Sequence, residues 1–107
     1  MSQNNVMMSA NPVLDQTQID QLSTLCFINR IDSHLKIVSS VKVFTTVDGT
    51  FRILLVLEIF YDEEKIDELS FNLHNYDYED IVHTARNIRS NEFILQEVDN
   101  LLAGNIE

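Results

Sequence analysis

The chain of 107 residues carries 17 acids against seven bases, a formal net charge of −10, with 45% hydrophobic residues and a single cysteine. That length admits one domain with one modest core, and the apolar fraction excludes a disordered acidic tail. The charge excludes a surface built for nucleic acid or anionic membrane, and the lone Cys26 excludes an intrachain disulfide and points to a reducing compartment.

Met1 to Leu14 is rich in Gln, Asn and Ser, contains Pro12 and shows no sustained periodicity, so it reads as a flexible lead-in to a single domain over 15–107. No positively charged stretch precedes an apolar one there, as a signal peptide requires. The longest apolar run, Ile53 to Leu57, is far below the roughly 20 residues that span a bilayer. These features read as a soluble, cytoplasmic protein.

From Asp15, a candidate N-cap, apolar residues Ile19, Leu22, Leu25, Cys26 and Ile28 recur at helical spacing and predict a first helix over Asp15 to Arg30. Cys26 then falls on its apolar side as a small buried residue. Between Leu35 and Leu73 the pattern changes to strands. Asp48-Gly49 lies between two runs rich in Val, Ile, Phe and Thr, the signature of a hairpin closed by a type I′ turn. A second turn around Asp62 to Lys65 leads into a third strand, Ile66 to Leu73, completing a three-stranded antiparallel meander.

The middle strand is apolar on both faces. Ile53, Leu55, Leu57 and Ile59 point one way, and Leu54, Val56 and Phe60 the other, which predicts cover from helices on both sides or from a partner chain. Leu54, Val56 and Phe60 are thus the expected dimer or client face. After Asp77, another candidate N-cap, a helical pattern runs to Gly104. Its two halves present different apolar stripes, which calls for a break near Ser90-Asn91. The expected class is α+β, in the order α-β-β-β-α, with helices packed on the meander.

The acids are unevenly placed. Four acids offset four bases up to Val56, and the whole net charge lies beyond it. Glu58 to Asp80 holds nine carboxylates (Glu58, Asp62, Glu63, Glu64, Asp67, Glu68, Asp77, Glu79, Asp80) and one base, Lys65. Tyr61, Tyr76 and Tyr78 flank these acids, and tyrosine beside carboxylate supplies rigid contact area next to charges that select a basic partner. These twelve residues form the expected partner-binding set.

Other constellations carry less. His74, Asp77, Asp80 and His83 invite a metal, yet Asp77 and Asp80 also suit the cap and first turn of a helix. Asn75, Asp77 and Glu79 begin like a calcium loop, but Asp80 occupies the position of the required glycine and Arg86 that of the bidentate glutamate. Glu58 is the only acid inside an apolar run, and no nucleophile elbow or glycine-rich phosphate loop accompanies it. No cofactor or metal is therefore expected, and the chain reads as a binding protein and not an enzyme.

The order of elements is that of double-stranded-RNA-binding domains, but the final helix offers only Arg86 and Arg89 for phosphate contacts, so that function is not carried over. In size, charge and absence of catalytic residues the chain resembles phage-encoded anti-defence inhibitors and toxin immunity proteins, and as an acidic protein it is expected to act as a nucleic-acid mimic. The acidic segment is expected to make the chain an inhibitor that occupies a basic surface of a partner protein, such as a nucleic-acid-binding one, and the strand apolar on both faces points to a homodimer. The chain is also similar to secretion chaperones, small acidic dimers that hold an unfolded client on an apolar sheet face. A metal-dependent enzyme using the His74 to His83 set is the reading from another class.

Overall fold

The computed structural model describes residues 14–45, 47–49, 51–73 and 76–105; Met1–Val13, read above as a lead-in, lie outside them. The fold is α+β: α1 (Gln16–Ser23), β1 (Cys26–Arg30), β2 (Leu35–Thr45), β3 (Phe51–Tyr61), β4 (Glu64–Asn72), α2 (Tyr78–Arg86), a 3-10 turn (Ile88–Ser90) and α3 (Glu92–Asn105). The strands form one antiparallel sheet in the order β1-β2-β3-β4. The meander thus has a fourth strand, β1, taken from what the apolar spacing assigned to the first helix.

That difference has a local cause. Asp15 caps α1 as expected, its carboxylate accepting the Gln18 N–H at 2.8 Å while Gln18 Oε1 accepts the Asp15 N–H. The helix stops at Thr24, whose hydroxyl donates to the Gln21 carbonyl. After Leu25, the five residues Cys26–Arg30, with aromatic Phe27 and β-branched Ile28, pair with Lys36 to Ser40. Without them the eleven-residue β2 would leave a long open edge. Cys26 consequently sits exposed on an edge strand and not in a buried helical stripe.

All three helices contribute to one core with one face of the sheet. Ile53, Leu55, Leu57 and Ile59 of β3 are at most 3% exposed, and they join Ile37 and Val41 of β2, Leu22 of α1, Ile81 and Ala85 of α2, and Ile94 and Val98 of α3. Each of these Val, Leu and Ile side chains contributes about 1.5–3 kcal/mol on leaving water. Buried Ser39 ties the layers together, its hydroxyl donating to the Ala85 carbonyl at the end of α2 at 2.5 Å. The expected break in the C-terminal helix is present. The 3-10 turn follows α2, and Asn91 Oδ1 accepts the Ile94 N–H at 3.0 Å to start α3 on a new stripe.

The two hairpins exchange their expected chemistry. The β2–β3 hairpin forms, but its strands end at the Thr45–Phe51 pair, and only Gly49 of its described loop residues has a positive φ, +87°. The two-residue turn with positive φ at both positions is instead Asp62-Glu63, at 52° and 68°, without a glycine. Glu63 is held there by Lys36 at 2.9 Å and Arg30 at 3.5 Å. A left-handed conformation costs a non-glycine residue about 1–2 kcal/mol. Glu63→Ala keeps that cost and Glu63→Gly removes it, while both lose the same ion pairs. In urea denaturation, Glu63→Gly is expected to be more stable than Glu63→Ala by about 1 kcal/mol.

Candidate functional site

The face of the sheet turned away from the helices is built from the alternate residues of each strand. The register aligns Cys26, Ser40, Val56 and Ser70 in one row across the sheet, and Ile28, Val38, Glu58 and Glu68 in the next. Leu54, Val56 and Phe60 do lie together on this face, half-buried, beside Val38. No helix covers them among the described residues, so of the two covers expected for the middle strand, the one from helices on both sides is absent there. A trough of about 560 Å³ runs over Leu54 and Val56, walled by Lys42 and Phe44 at one end and by Glu58 and Glu68 towards the other.

Five of the seven bases also sit on or beside this face. Arg30 and Lys36 are paired in register, Lys42 is opposite Leu54, Arg52 is opposite Phe44, and Lys65 is opposite Phe60. Lys65 reaches it through a bulge: the register passes from Ile59–Asp67 to Phe60–Lys65, leaving Ile66 unmatched and turning Lys65 to the open side. There its ammonium lies 3.0 Å from both Glu58 and Glu68, carboxylates that face each other directly across β3 and β4. Both partners raise the Lys65 pKa, Glu68 foremost. Lys36 lies 4.9 Å from the Phe60 ring centre.

The twelve residues expected to bind a partner are thus divided. Glu58 and Glu68 are on the open face, bridged by Lys65. Asp62 and Glu63 form the β3–β4 turn, with Glu63 bridged by Lys36 and Arg30 and its carboxyl held below the usual range, Lys36 foremost. Tyr61 stacks on His34, ring centres 5.5 Å apart, and the His34 Nδ1 lies 2.6 Å from Asp62. Glu64 and Asp67 are exposed on the edge strand β4.

The remaining members belong to the helical side. Asp77 caps α2, accepting the Asp80 N–H at 2.8 Å, and Glu79 and Asp80 occupy its first turn, where the helix dipole favours them. Tyr78 is structural, its hydroxyl donating to Gln21 Oε1 at 2.8 Å and so joining α2 to α1. Tyr76 is 40% exposed beside a hollow of about 140 Å³, whose other wall is Phe93, 69% exposed and meeting Phe71 edge-on. Helices α1, α2 and α3, with their caps, carry exposed Asp15, Asp20, Asp77, Glu79, Asp80, Glu92, Glu97 and Asp99 against Arg86 and, in the 3-10 turn, Arg89.

Sequence reasoning missed the gathering of bases. The alternation Lys36, Val38, Ser40, Lys42, Phe44 carried that signal, since it places two lysines on the face opposite Ile37 and Val41. His74, one of the four residues considered for a metal, lies outside the described residues. Among the described residues no three His, Cys, Asp or Glu side chains converge, and no helix is long and apolar enough to cross a membrane. Comparison of the chain with protein-family models, curated proteins and solved structures finds no match in any of them.

The His34–Asp62 contact titrates. The Asp62 hydrogen bond, followed by its charge, raises the His34 pKa above the ordinary 6.5. A raised histidine pKa stabilises the fold below the unfolded value, and that contribution is lost as the pH rises through the folded one. The pair is solvent-exposed, so its effect on stability is small. NMR titration of His34 is expected to give a midpoint above 6.5, returning towards it in Asp62→Asn.

Proposed function

We propose that the chain is a small acidic protein-binding protein that acts by occupancy, presenting its helical side to a basic surface of a partner protein. The observation that supports this reading is the segregation of charge. With most bases on the open sheet face, the helices are left with eight exposed carboxylates and little to offset them. Such a one-sided field steers a basic partner and repels phosphate. Tyr76 and Phe93, next in sequence to Asp77 and Glu92, supply aromatic contact area, and the hollow between them accepts one apolar side chain. Of the twelve residues singled out in the sequence, the proposed site keeps Tyr76, Asp77, Glu79 and Asp80. A basic, nucleic-acid-binding groove is the kind of surface such a protein would block. A reducing, cytoplasmic setting suits the exposed Cys26 thiol.

One observation favours a second reading. The uncovered row of Leu54, Val56 and Phe60 would hold an unfolded client, as in a secretion chaperone, with little dependence on salt.

Affinity capture at low and high salt separates the two. A basic protein released by salt, whose retention falls at least about tenfold when Glu79→Gln, Asp80→Asn and Glu97→Gln are combined, is the expected result. Salt-resistant capture that survives the triple substitution and is lost in Leu54→Asp would contradict the acidic-surface reading.

A further inference from the structure

The sheet ends in two edges. β1 offers five residues and β4 nine, none of the nine buried, so β4 is the longer template for an added strand. Past the bulge at Ile66, Leu69 and Phe71 alternate with Glu68 and Ser70, a pattern that suits strand pairing.

One hydrogen bond shows which backbone groups of β4 face outward. The Leu73 N–H donates to the Ile53 carbonyl at 2.8 Å, which makes these two residues a hydrogen-bonded pair. In an antiparallel ladder such pairs alternate with non-bonded ones, so Phe71, Leu69 and Asp67 turn their backbone groups towards β3. Glu68 and Ser70 then turn theirs to the open edge. The Glu68 N–H does not stay open there: the carboxylate of the preceding residue, Asp67, accepts it at 2.7 Å.

We propose that Asp67 closes the β4 edge, occupying the outward Glu68 N–H so that β4 does not pair with β4 of a second copy. Side chains that bond their neighbouring backbone compete with sheet ladders, and a bond to a carboxylate is among the stronger ones. An antiparallel β4–β4 pair centred on Leu69 would set Glu68 opposite Ser70 of the other copy, avoiding the facing glutamates that a centre on Glu68 would create. In that register each Glu68 and its opposite Ser70 would exchange both bonds. The Asp67 carboxylate takes the Glu68 donor in both copies, removing half of those bonds and leaving the opposite Ser70 carbonyls unmet. The bulge ends the regular edge on the side towards the turn, so the lost bonds are not recovered there. This contact lies on the sheet edge and does not draw on the acidic-surface reading.

The test compares Asp67→Ala, which loses the acceptor, with Asp67→Asn, whose Oδ1 keeps it; both remove the same charge. Asp67 is exposed, and circular dichroism and the melting temperature report whether each variant is folded. In sedimentation of the full chain from micromolar to submillimolar concentration, Asp67→Ala is expected to self-associate at least about tenfold more tightly than the wild type, and Asp67→Asn to stay within about twofold of it. Amide hydrogen exchange locates the contact: in Asp67→Ala, the Glu68 and Ser70 N–H groups are expected to exchange more slowly as concentration rises.

An Asp67→Ala variant that associates no more than the wild type would overturn the proposal. So would an Asp67→Asn variant that associates as tightly as Asp67→Ala, since charge and not the hydrogen bond would then be the barrier. Association that leaves exchange at Glu68 and Ser70 unchanged would place the contact away from β4 and overturn it equally.

Discussion

The structure depends on one constraint: the inner row of β3 must be buried, and the chain has helices enough to bury it from one side only. Ile53, Leu55, Leu57 and Ile59 form the floor of the core, and α1, α2 and α3 all contribute to the cluster above them. Because strand side chains alternate, fixing that row fixes the other: Leu54, Val56, Glu58 and Phe60 must face away from the helices. A one-residue slip of β3 would exchange the rows and place Glu58 in the core, at a cost of several kcal/mol for an unpaired buried charge. The charges of the neighbouring strands follow from the same register.

The bulge at Ile66 is part of that logic. In strict alternation Lys65 would share a face with Asp67 and Leu69, towards the helices. The irregularity moves it to the open side, between two glutamates that would otherwise stand unshielded opposite each other. The same hairpin ends in Asp62-Glu63, a left-handed pair with no glycine. Its backbone is tied back to the β1–β2 turn, where the His34 carbonyl accepts the Asp62 N–H at 2.9 Å, while Lys36 and Arg30 hold the Glu63 side chain. Tertiary contacts have overridden the local preference of the turn.

Most of the fold was legible where a pattern was long. The eleven-residue β3, the hairpin leading into it, the caps at Asp15 and Asp77 and the break before Asn91 all follow from periodicity and capping chemistry. β1 was not legible, because Leu25, Cys26 and Ile28 suit a helical stripe as well as a short strand, and only the unpaired edge of β2 decides between them. For the site, adjacency in sequence proved a poor guide to adjacency in space. Glu58 to Asp80 is one acidic run along the chain, yet its members divide among the open face, a turn, an edge strand and the start of α2, and three of them, Glu58, Asp62 and Glu63, meet a base or His34 that lies elsewhere in sequence or on the next strand. The bases escaped notice because they come singly, one every few residues, and only the register brings them together.

Sorting of charge between the two sides of the molecule is measurable by comparing how cationic and anionic paramagnetic probes relax the backbone amides at low salt. The ratio of the two effects reports local potential at each amide and is insensitive to how deeply the amide is buried. The cationic probe is expected to dominate over α2 and α3, while the ratio shifts towards the anionic probe around Lys42 and Arg52. A ratio uniform over both sides, or one shifted towards the anionic probe on the helices, would contradict it.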